Sequence, residues 1–233
     1  GSCGDVDGQL DQALSNAESR KISPIEKSVG FVKLSNSRTT IIIDAAPPPM
    51  GKKAVKADAS TLAFEMVSGQ RRIFTSCGPG YLFGSNLSSA SRQTSSHSVV
   101  YIDNQNSSQF SDKESWLKIP KKVIINGPRN VPKEISNDQG ICIFEGAHDG
   151  YVKSHGLTHV RKLKLAQDGQ TFEGEDLIIA IEDSHKRQFD KISKKTSRGS
   201  LSVKAAFHLH PDVTLRWDQK NNFISLVLKN GEV

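Results

Sequence analysis

Histidine is the residue type in this sequence best suited to chemistry, and its seven copies are unevenly placed. His208 and His210 are separated by one residue, so a β-strand would direct both imidazoles to the same face. Two imidazoles on one rigid face could contribute to a metal site. Alternatively, one could face the core with a backbone acceptor while the other is solvated. The spacing leaves both interpretations open.

His97 and His159 are further candidates for metal binding. His97 opens a predicted strand, Asp103 follows six residues later, and Asp112 lies on the next loop. Asp103 has the same pleat parity as His97, but the strand must bend before both can reach one ion. His159 shares a predicted face with Arg161. A histidine with a carboxylate suits zinc, whereas carboxylates alone favour calcium or magnesium.

A third polar cluster is His148-Asp149-Gly150-Tyr151, which follows a predicted strand. Loops at the rim of a sheet commonly carry functional groups. His148 or Tyr151 could therefore act as a general acid or base. An Asp-Gly turn flanked by histidine and tyrosine is also ordinary turn chemistry, so the cluster has a structural interpretation as well.

Other classes of site have no support in the sequence. It contains no nucleophile elbow, Walker motif or dinucleotide fingerprint. The three cysteines (Cys3, Cys77 and Cys142) cannot all pair, and none has a C-x-x-C spacing, so we expect buried thiols. No run of 18 apolar residues predicts a membrane helix, and no signal peptide is visible.

The charge balance permits a polyanionic partner. The 233 residues carry a formal charge of +6, with basic residues mostly in separated pairs. Aromatic residues make up 6% of the chain, which gives few platforms for stacking bases, so we expect no nucleic-acid partner. An acidic polysaccharide fits lysine pairs on a rigid sheet better, although solvated surface charge explains such pairs equally well.

The elements that position these residues are predicted to be short strands. From Val29 onward, apolar residues alternate with period two between turns rich in Gly, Pro, Asn and Ser. Residues 30–34 with 39–45, and 61–67 with 72–77, read as hairpins. Asp168-Gly169 predicts a later hairpin turn. A final pair is predicted from residues 201–209 and 223–228, joined by a turn at 218–222.

Many short strands with almost no helix predict an all-β fold, a large antiparallel β-sandwich. Residues 1–28 are polar with weak helical periodicity, which predicts a linker or frayed helix. Residues 29–233 are then one domain.

An ordered series of motifs resembles the C-terminal β-sandwich domain of heparinase II/III-like proteins. The series opens with Gly30-Phe31-x-Lys33-Leu34 and Ile43-Asp44-Ala45-Ala46-Pro47-Pro48-Pro49. It continues through Ser96-His97-Ser98-Val99, His148-Asp149-Gly150-Tyr151, His159-x-Arg161, Gly174-Glu175-Asp176 and Phe207-His208-Leu209-His210-Pro211. The resemblance covers the chain from about residue 29 to its end.

The resemblance implies part of a polysaccharide lyase that cleaves uronic-acid polysaccharides by β-elimination. In such enzymes an α/α toroid precedes the sandwich and supplies the main Tyr and His groups. The sandwich contributes a metal site of His and Asp type. The resemblance also implies a periplasmic or secreted location and an acidic polysaccharide as partner, with no role at a membrane.

Carried over by motif, His97 and His159 are the expected ligands of a divalent metal, zinc more than calcium. Asp103 or Asp112 is the expected carboxylate partner. Ser98 stands where the family usually has Asn, and Ser95 where it has His. Without the toroid we expect no elimination by the sandwich alone. The alternative hypothesis is a non-catalytic carbohydrate-binding or scaffold module with the same fold.

Overall fold

Two antiparallel sheets face each other and enclose the main core. The computed structural model describes residues 25–28, 30–78, 80, 84–111, 122–195 and 201–228. The first sheet has five strands in sequence order: β1 (Ile25–Ser28), β2 (Phe31–Asn36), β3 (Thr39–Asp44), β4 (Phe64–Ser68) and β5 (Arg71–Phe74). Every neighbouring pair is antiparallel, which confirms both of the early predicted hairpins.

The second sheet has four strands in the order β12-β11-β10-β9. Its strands are β9 (Lys133–Asp138), β10 (Ile141–Tyr151), β11 (Leu157–Leu165) and β12 (Phe172–Ile179). The predicted turn at Asp168-Gly169 joins β11 to β12. Each of these strands follows the previous one in the chain, so the sheet is an antiparallel meander that short turns can connect.

Three two-stranded sheets complete the strand structure of the described residues, pairing β13 with β6, β14 with β15 and β7 with β8. Their strands are β6 (Val100–Ile102), β7 (Gln109–Phe110), β8 (Ile124–Asn126), β13 (Val203–Ala205), β14 (Val213–Asp218) and β15 (Phe223–Leu228). The α-helices are α1 (Ser85–Ala90), α2 (Val152–His155) and α3 (Asp183–Lys195), and short 3-10 turns cover Gly51–Ala54 and Thr94–Ser96.

Alternation on the inner faces of both sheets produces the core. Buried apolar side chains from one sheet (Val32, Leu34, Ile41, Ile43, Phe64) meet those from the other (Cys142, Phe144, Leu163, Leu165). Period-two patterning places each set on one face of its sheet, and burial against the opposite sheet is the main stabilising term. The predicted antiparallel sandwich is therefore confirmed.

Side chains at the end of the first sheet tie it to the turns of the second. Asn36 Nδ2 lies 2.8 Å from the carbonyl oxygen of Gly140 and 3.2 Å from that of Leu165. The Thr39 hydroxyl donates to the carbonyl of Gly169 over 2.6 Å. These bonds fix the relative alignment of the sheets at this end of the sandwich.

Several local predictions differ from the structure. Ile25–Ser28, assigned to the linker, forms β1 against β2; the rest of the linker lies outside the described residues. The pairing of 201–209 with 223–228 is wrong, because β14 and β15 form the hairpin while β13 pairs with β6.

The expectation of almost no helix is wrong at α3. Its 13 residues carry Asp183 in the first turn and Lys194 and Lys195 in the last, which complements the helix dipole. Phe189 packs against a small core cluster around Tyr151. The helix follows β12 almost directly. No described helix is long and apolar enough to cross a bilayer.

Candidate functional site

The inner face of β10, β11 and β12 carries a polar cluster beside the apolar core. His148 and His159 are cross-strand neighbours on β10 and β11, and Arg161 stands opposite Asp176 on β12. His148, His159 and Arg161 are at most 1% exposed. The alternation of β11 directs His159 and Arg161 to the same face as Leu163 and Leu165.

A directed chain of hydrogen bonds runs through this cluster. The Gly150 N–H donates to His148 Nδ1 over 3.1 Å, so the neutral His148 ring carries its proton on Nε2. That Nε2–H donates to His159 Nδ1 over 3.2 Å. The proton of His159 is then on Nε2, from which it donates to Asp176 Oδ1 over 2.7 Å.

Arg161 completes the cluster from the other side of the carboxylate. Its Nε donates to Asp176 Oδ1 and an Nη donates to Oδ2, each over 2.8 Å. Its second Nη donates to the carbonyls of Leu62 and Ser98, both over 2.7 Å. The guanidinium also lies 5.4 Å from the centre of the Phe64 ring. Arg161 thus joins the second sheet to the loops around the first.

The electrostatics agree with neutral imidazoles and an ionised carboxylate. Burial, with the nearby His159 and Arg161, holds the pKa of His148 well below its usual range. Burial also lowers the pKa of His159, although its hydrogen bond to Asp176 opposes the shift. Burial alone would raise the pKa of Asp176, but hydrogen bonds from His159 and Arg161 and the charge of Arg161 hold it well below its usual range.

His148 and Tyr151 were the predicted acid and base, and the structure buries both. They lie within β10 rather than beyond a strand, and a bulge between them turns both side chains inward. Tyr151 is 0% exposed, and its hydroxyl is 3.4 Å from the carbonyl of Val100. Burial raises the pKa of Tyr151 above its usual range, which disfavours the phenolate that a base requires.

The predicted metal ligands lie in different surroundings. His159 contacts Asp176, while Asp103 accepts a hydrogen bond from the Ser202 N–H and lies 3.5 Å from His155 Nε2. Asp112 lies outside the described residues. Among the residues that the structure describes, no group of three or more His, Cys, Asp or Glu side chains is arranged to hold a metal ion.

His97 borders an open groove of about 900 Å³. Its Nδ1 lies 3.2 Å from the Ser76 hydroxyl, and its buried Nε2 has no hydrogen-bond partner within the described part of the chain. Burial, and then the neighbouring His208, lower the pKa of His97 to about 4. Glu65 and Arg92 line the same groove. His97 therefore presents a neutral imidazole at neutral pH.

A second groove, of about 1000 Å³, is polar and lies beside the end of β10. We call it the amide groove, because its lining includes Gln93, Asn104, Gln105, Asn106, Gln109 and Asn126. Phe110, Arg129 and Lys153 also line it. The buried Ser108 hydroxyl in its wall has no partner among the described residues. Sequence reasoning did not identify this groove, because its residues come from four separate segments.

Asp176 is the member of the polar cluster that was given no role from the sequence. The signal was present in His159-x-Arg161 and in the hairpin turn at Asp168-Gly169. Counting outward from that turn places Asp176 opposite Arg161, as the register shows. Asp176 was missed because the run of apolar residues that indicates this strand begins one residue later, at Leu177.

The fold is an antiparallel β-sandwich with a buried polar cluster on the inner face of its second sheet. Residues 23–233 match the family model described as "Heparinase II/III-like, C-terminal", and the chain belongs to this family. FtsZ-localized protein C of Caulobacter vibrioides (strain NA1000 / CB15N) is 29% identical over 184 residues, which are 78% of this chain and 30% of that protein. The chain thus spans less than a third of that curated relative.

A heparinase III gene product with methylated lysines is similar with a TM-score of 0.49 and 18% identity. The similarity covers 66% of this chain and 21% of that one.

Proposed function

We propose that this chain is a non-catalytic binding module of a heparinase II/III-like protein, with an acidic polysaccharide as its ligand. The observation that carries the proposal is the burial of His148 and Tyr151, which are 1% and 0% exposed. A general acid or base must come within hydrogen-bond reach of the substrate. These two side chains instead bond to the protein interior.

The amide groove supports a carbohydrate ligand. Primary amides offer two donors and an acceptor, which match sugar hydroxyls. Arg129 and Lys153 are exposed at its edge, where they can pair with uronate carboxylates or sulfates. The relative from Caulobacter vibrioides is named for its localization with FtsZ and not for an enzymatic activity, which agrees with a role in binding.

The proposal is tested with the complete gene product. Elimination creates an unsaturated uronate that absorbs in the ultraviolet, so the protein is incubated with heparan sulfate, chondroitin sulfate and alginate, with an active heparinase as positive control. We expect no increase in absorbance, and we expect calorimetry to detect binding of at least one of these polymers. Product formation that is lost in His97→Ala, or no binding to any of the three polymers, would refute the proposal.

A matched pair of variants locates the binding. Arg129→Ala with Lys153→Ala removes two positive charges from the amide groove, and we expect polymer affinity to fall at least about tenfold. Arg216→Ala with Lys220→Ala removes the same charge from the exposed β14–β15 hairpin. Equal losses in both double variants would show non-specific attraction to net charge instead.

The surroundings of His97 favour a second candidate function, in which this domain contributes to the active site of a polysaccharide lyase. Its unpartnered Nε2 and its pKa of about 4 give a neutral imidazole beside an open groove. In this case a toroid domain would supply the other catalytic groups. If the complete gene product releases unsaturated uronate and His97→Ala abolishes that release, this candidate replaces the first.

A further inference from the structure

The sequence led us to expect a divalent metal at His159, and the donors around His159 do not fit one. A metal ion needs a free lone pair on nitrogen. In His159, Nδ1 accepts from His148 and Nε2 carries the proton that is donated to Asp176. In His148, Nδ1 accepts from the Gly150 N–H. Every ring nitrogen of the histidine pair is therefore engaged.

The carboxylate is engaged in the same way. Asp176 Oδ1 accepts from His159 Nε2 and Arg161 Nε, and Oδ2 accepts from an Arg161 Nη. The guanidinium carries the positive charge of this pair. A divalent cation at this carboxylate would face that fixed charge in a buried site, where repulsion between like charges is weakly screened.

We propose that the positive charge of Arg161 pairs with the Asp176 carboxylate in place of a metal ion. The polar cluster of His148, His159, Arg161 and Asp176 then forms, and connects the two sheets, without a bound metal. One guanidinium binds the carboxylate through two parallel hydrogen bonds, and it binds the carbonyls of Leu62 and Ser98 as well. A metal ion would instead require the imidazole nitrogens to release their protein partners. The role of Arg161 is positioning, and it is independent of whether the domain binds polysaccharide.

Nitrogen-15 spectra of the histidine rings test the proposal directly. We expect His148 and His159 both to be neutral with the proton on Nε2, and we expect these signals and the melting temperature to be unchanged by EDTA or by one equivalent of zinc. A metal-bound shift of a His159 nitrogen, appearing with zinc or disappearing with EDTA, would overturn the proposal.

Variants test the part played by Arg161. Arg161→Met removes the cation, and we expect the melting temperature to fall by roughly 6–20 °C, or folding to be lost. Arg72→Met, at an exposed arginine of β5, is the matched control and should leave it within about 2 °C. If Arg161→Met does not fold, Arg161→Lys is measured in its place. We expect Arg161→Lys to have a lower melting temperature than the wild type, the same His159 tautomer, and no response to zinc. Stability unchanged in Arg161→Met, or restored in either variant by zinc, would contradict the proposal.

Discussion

The inner face shared by the paired strands β10 and β11 is apolar in one half and polar in the other. Toward one end, Cys142 and Phe144 stand opposite Leu165 and Leu163 and enter the apolar core. Toward the other end, His148 stands opposite His159, and Arg161 is the next inward residue of β11. Regular antiparallel pairing runs without interruption from Cys142 to His148, so over this stretch the side chains determine how each half is held together.

The difference lies in how the two halves respond to the loss of one side chain. In the apolar half each residue contributes by the area that it buries, and a smaller side chain leaves a cavity without an unpaired polar group. In the polar half each group is the hydrogen-bond partner of the next, so one substitution leaves a buried charge or donor without compensation. The polar half should therefore be the more sensitive to substitution.

The largest expected effect follows the loss of the carboxylate. Asp176→Ala leaves the Arg161 guanidinium buried and unpaired, which should lower the free energy of unfolding by about 3–5 kcal/mol. Asp138→Ala, at an exposed position of β9, is the control and should change it by less than about 0.5 kcal/mol. Urea denaturation followed by circular dichroism measures both. Equal stability of the two variants would contradict the importance of the polar half.

The apolar half is tested by Leu163→Ala. Leu163 is 1% exposed in the main core, and truncation should cost about 3 kcal/mol through lost burial and the residual cavity. Leu177→Ala on the neighbouring strand β12 removes the same atoms from a side chain that is 45% exposed, and it should cost less than about 1 kcal/mol. If the two losses measured by urea denaturation were equal, the core position of Leu163 would be in question.

A smaller effect is expected when one imidazole is replaced. His148→Leu removes the donor to His159 Nδ1 and the acceptor of the Gly150 N–H, for a cost of about 2 kcal/mol. With His159→Leu added, the cost should be less than the sum of the two single costs, because each single variant leaves one nitrogen of the other ring without its partner. A double-mutant cycle of unfolding measures this coupling. Strict additivity would show that the two rings do not depend on each other.

The smallest expected effect concerns Asp44, at the end of β3, where its carbonyl accepts from the N–H of Leu62. Burial raises the pKa of Asp44, while hydrogen bonds from Ser60 and Ala46 and the charge of Lys133 lower it in part. Because the folded state binds this proton more tightly than the unfolded state, stability from this group is present below pH 3.8 and is lost as the pH rises through the folded pKa.

Asp44→Asn removes this pH dependence. At neutral pH we expect the variant to be more stable than the wild type by up to about 1 kcal/mol, and at low pH the two should converge. Asp58 and Arg92 are the nearby charged groups besides Lys133, and both remain in the variant. The measurement is the free energy of unfolding as a function of pH. A variant that is less stable than the wild type at neutral pH would contradict the prediction.

Local patterning predicted the sandwich well. Alternation at Val32 and Leu34, and at Leu163 and Leu165, is enough to place these residues inside, since one face of each strand must be buried. The α3 helix was missed because its residues are mostly charged, and its large apolar side chains are limited to Phe189 and Ile192. The β6–β13 pair was missed because it joins segments about a hundred residues apart, which no local pattern reveals.

The polar cluster could be predicted only in part. The His159-x-Arg161 spacing indicates two polar side chains on one face, but it does not show whether a metal or a carboxylate faces them. That choice depends on Asp176 from the next strand, and thus on the register of the hairpin. The burial of His148 and Tyr151 depends on the bulge in β10, since a regular strand would direct side chains three residues apart to opposite faces.

The turn at Asp168-Gly169 has a practical consequence for protein engineering. A hairpin tip is usually a good place to insert a tag or a reporter domain. Here the Gly169 carbonyl accepts the hydroxyl of Thr39, and a Cβ on Gly169 would lie 2.3 Å from the carbonyl oxygen of Asn36. An insertion at this tip would push the two sheets apart. The tip after β14 is the better choice, since Asp218 there accepts from Lys220 and Asn221 within its own exposed turn.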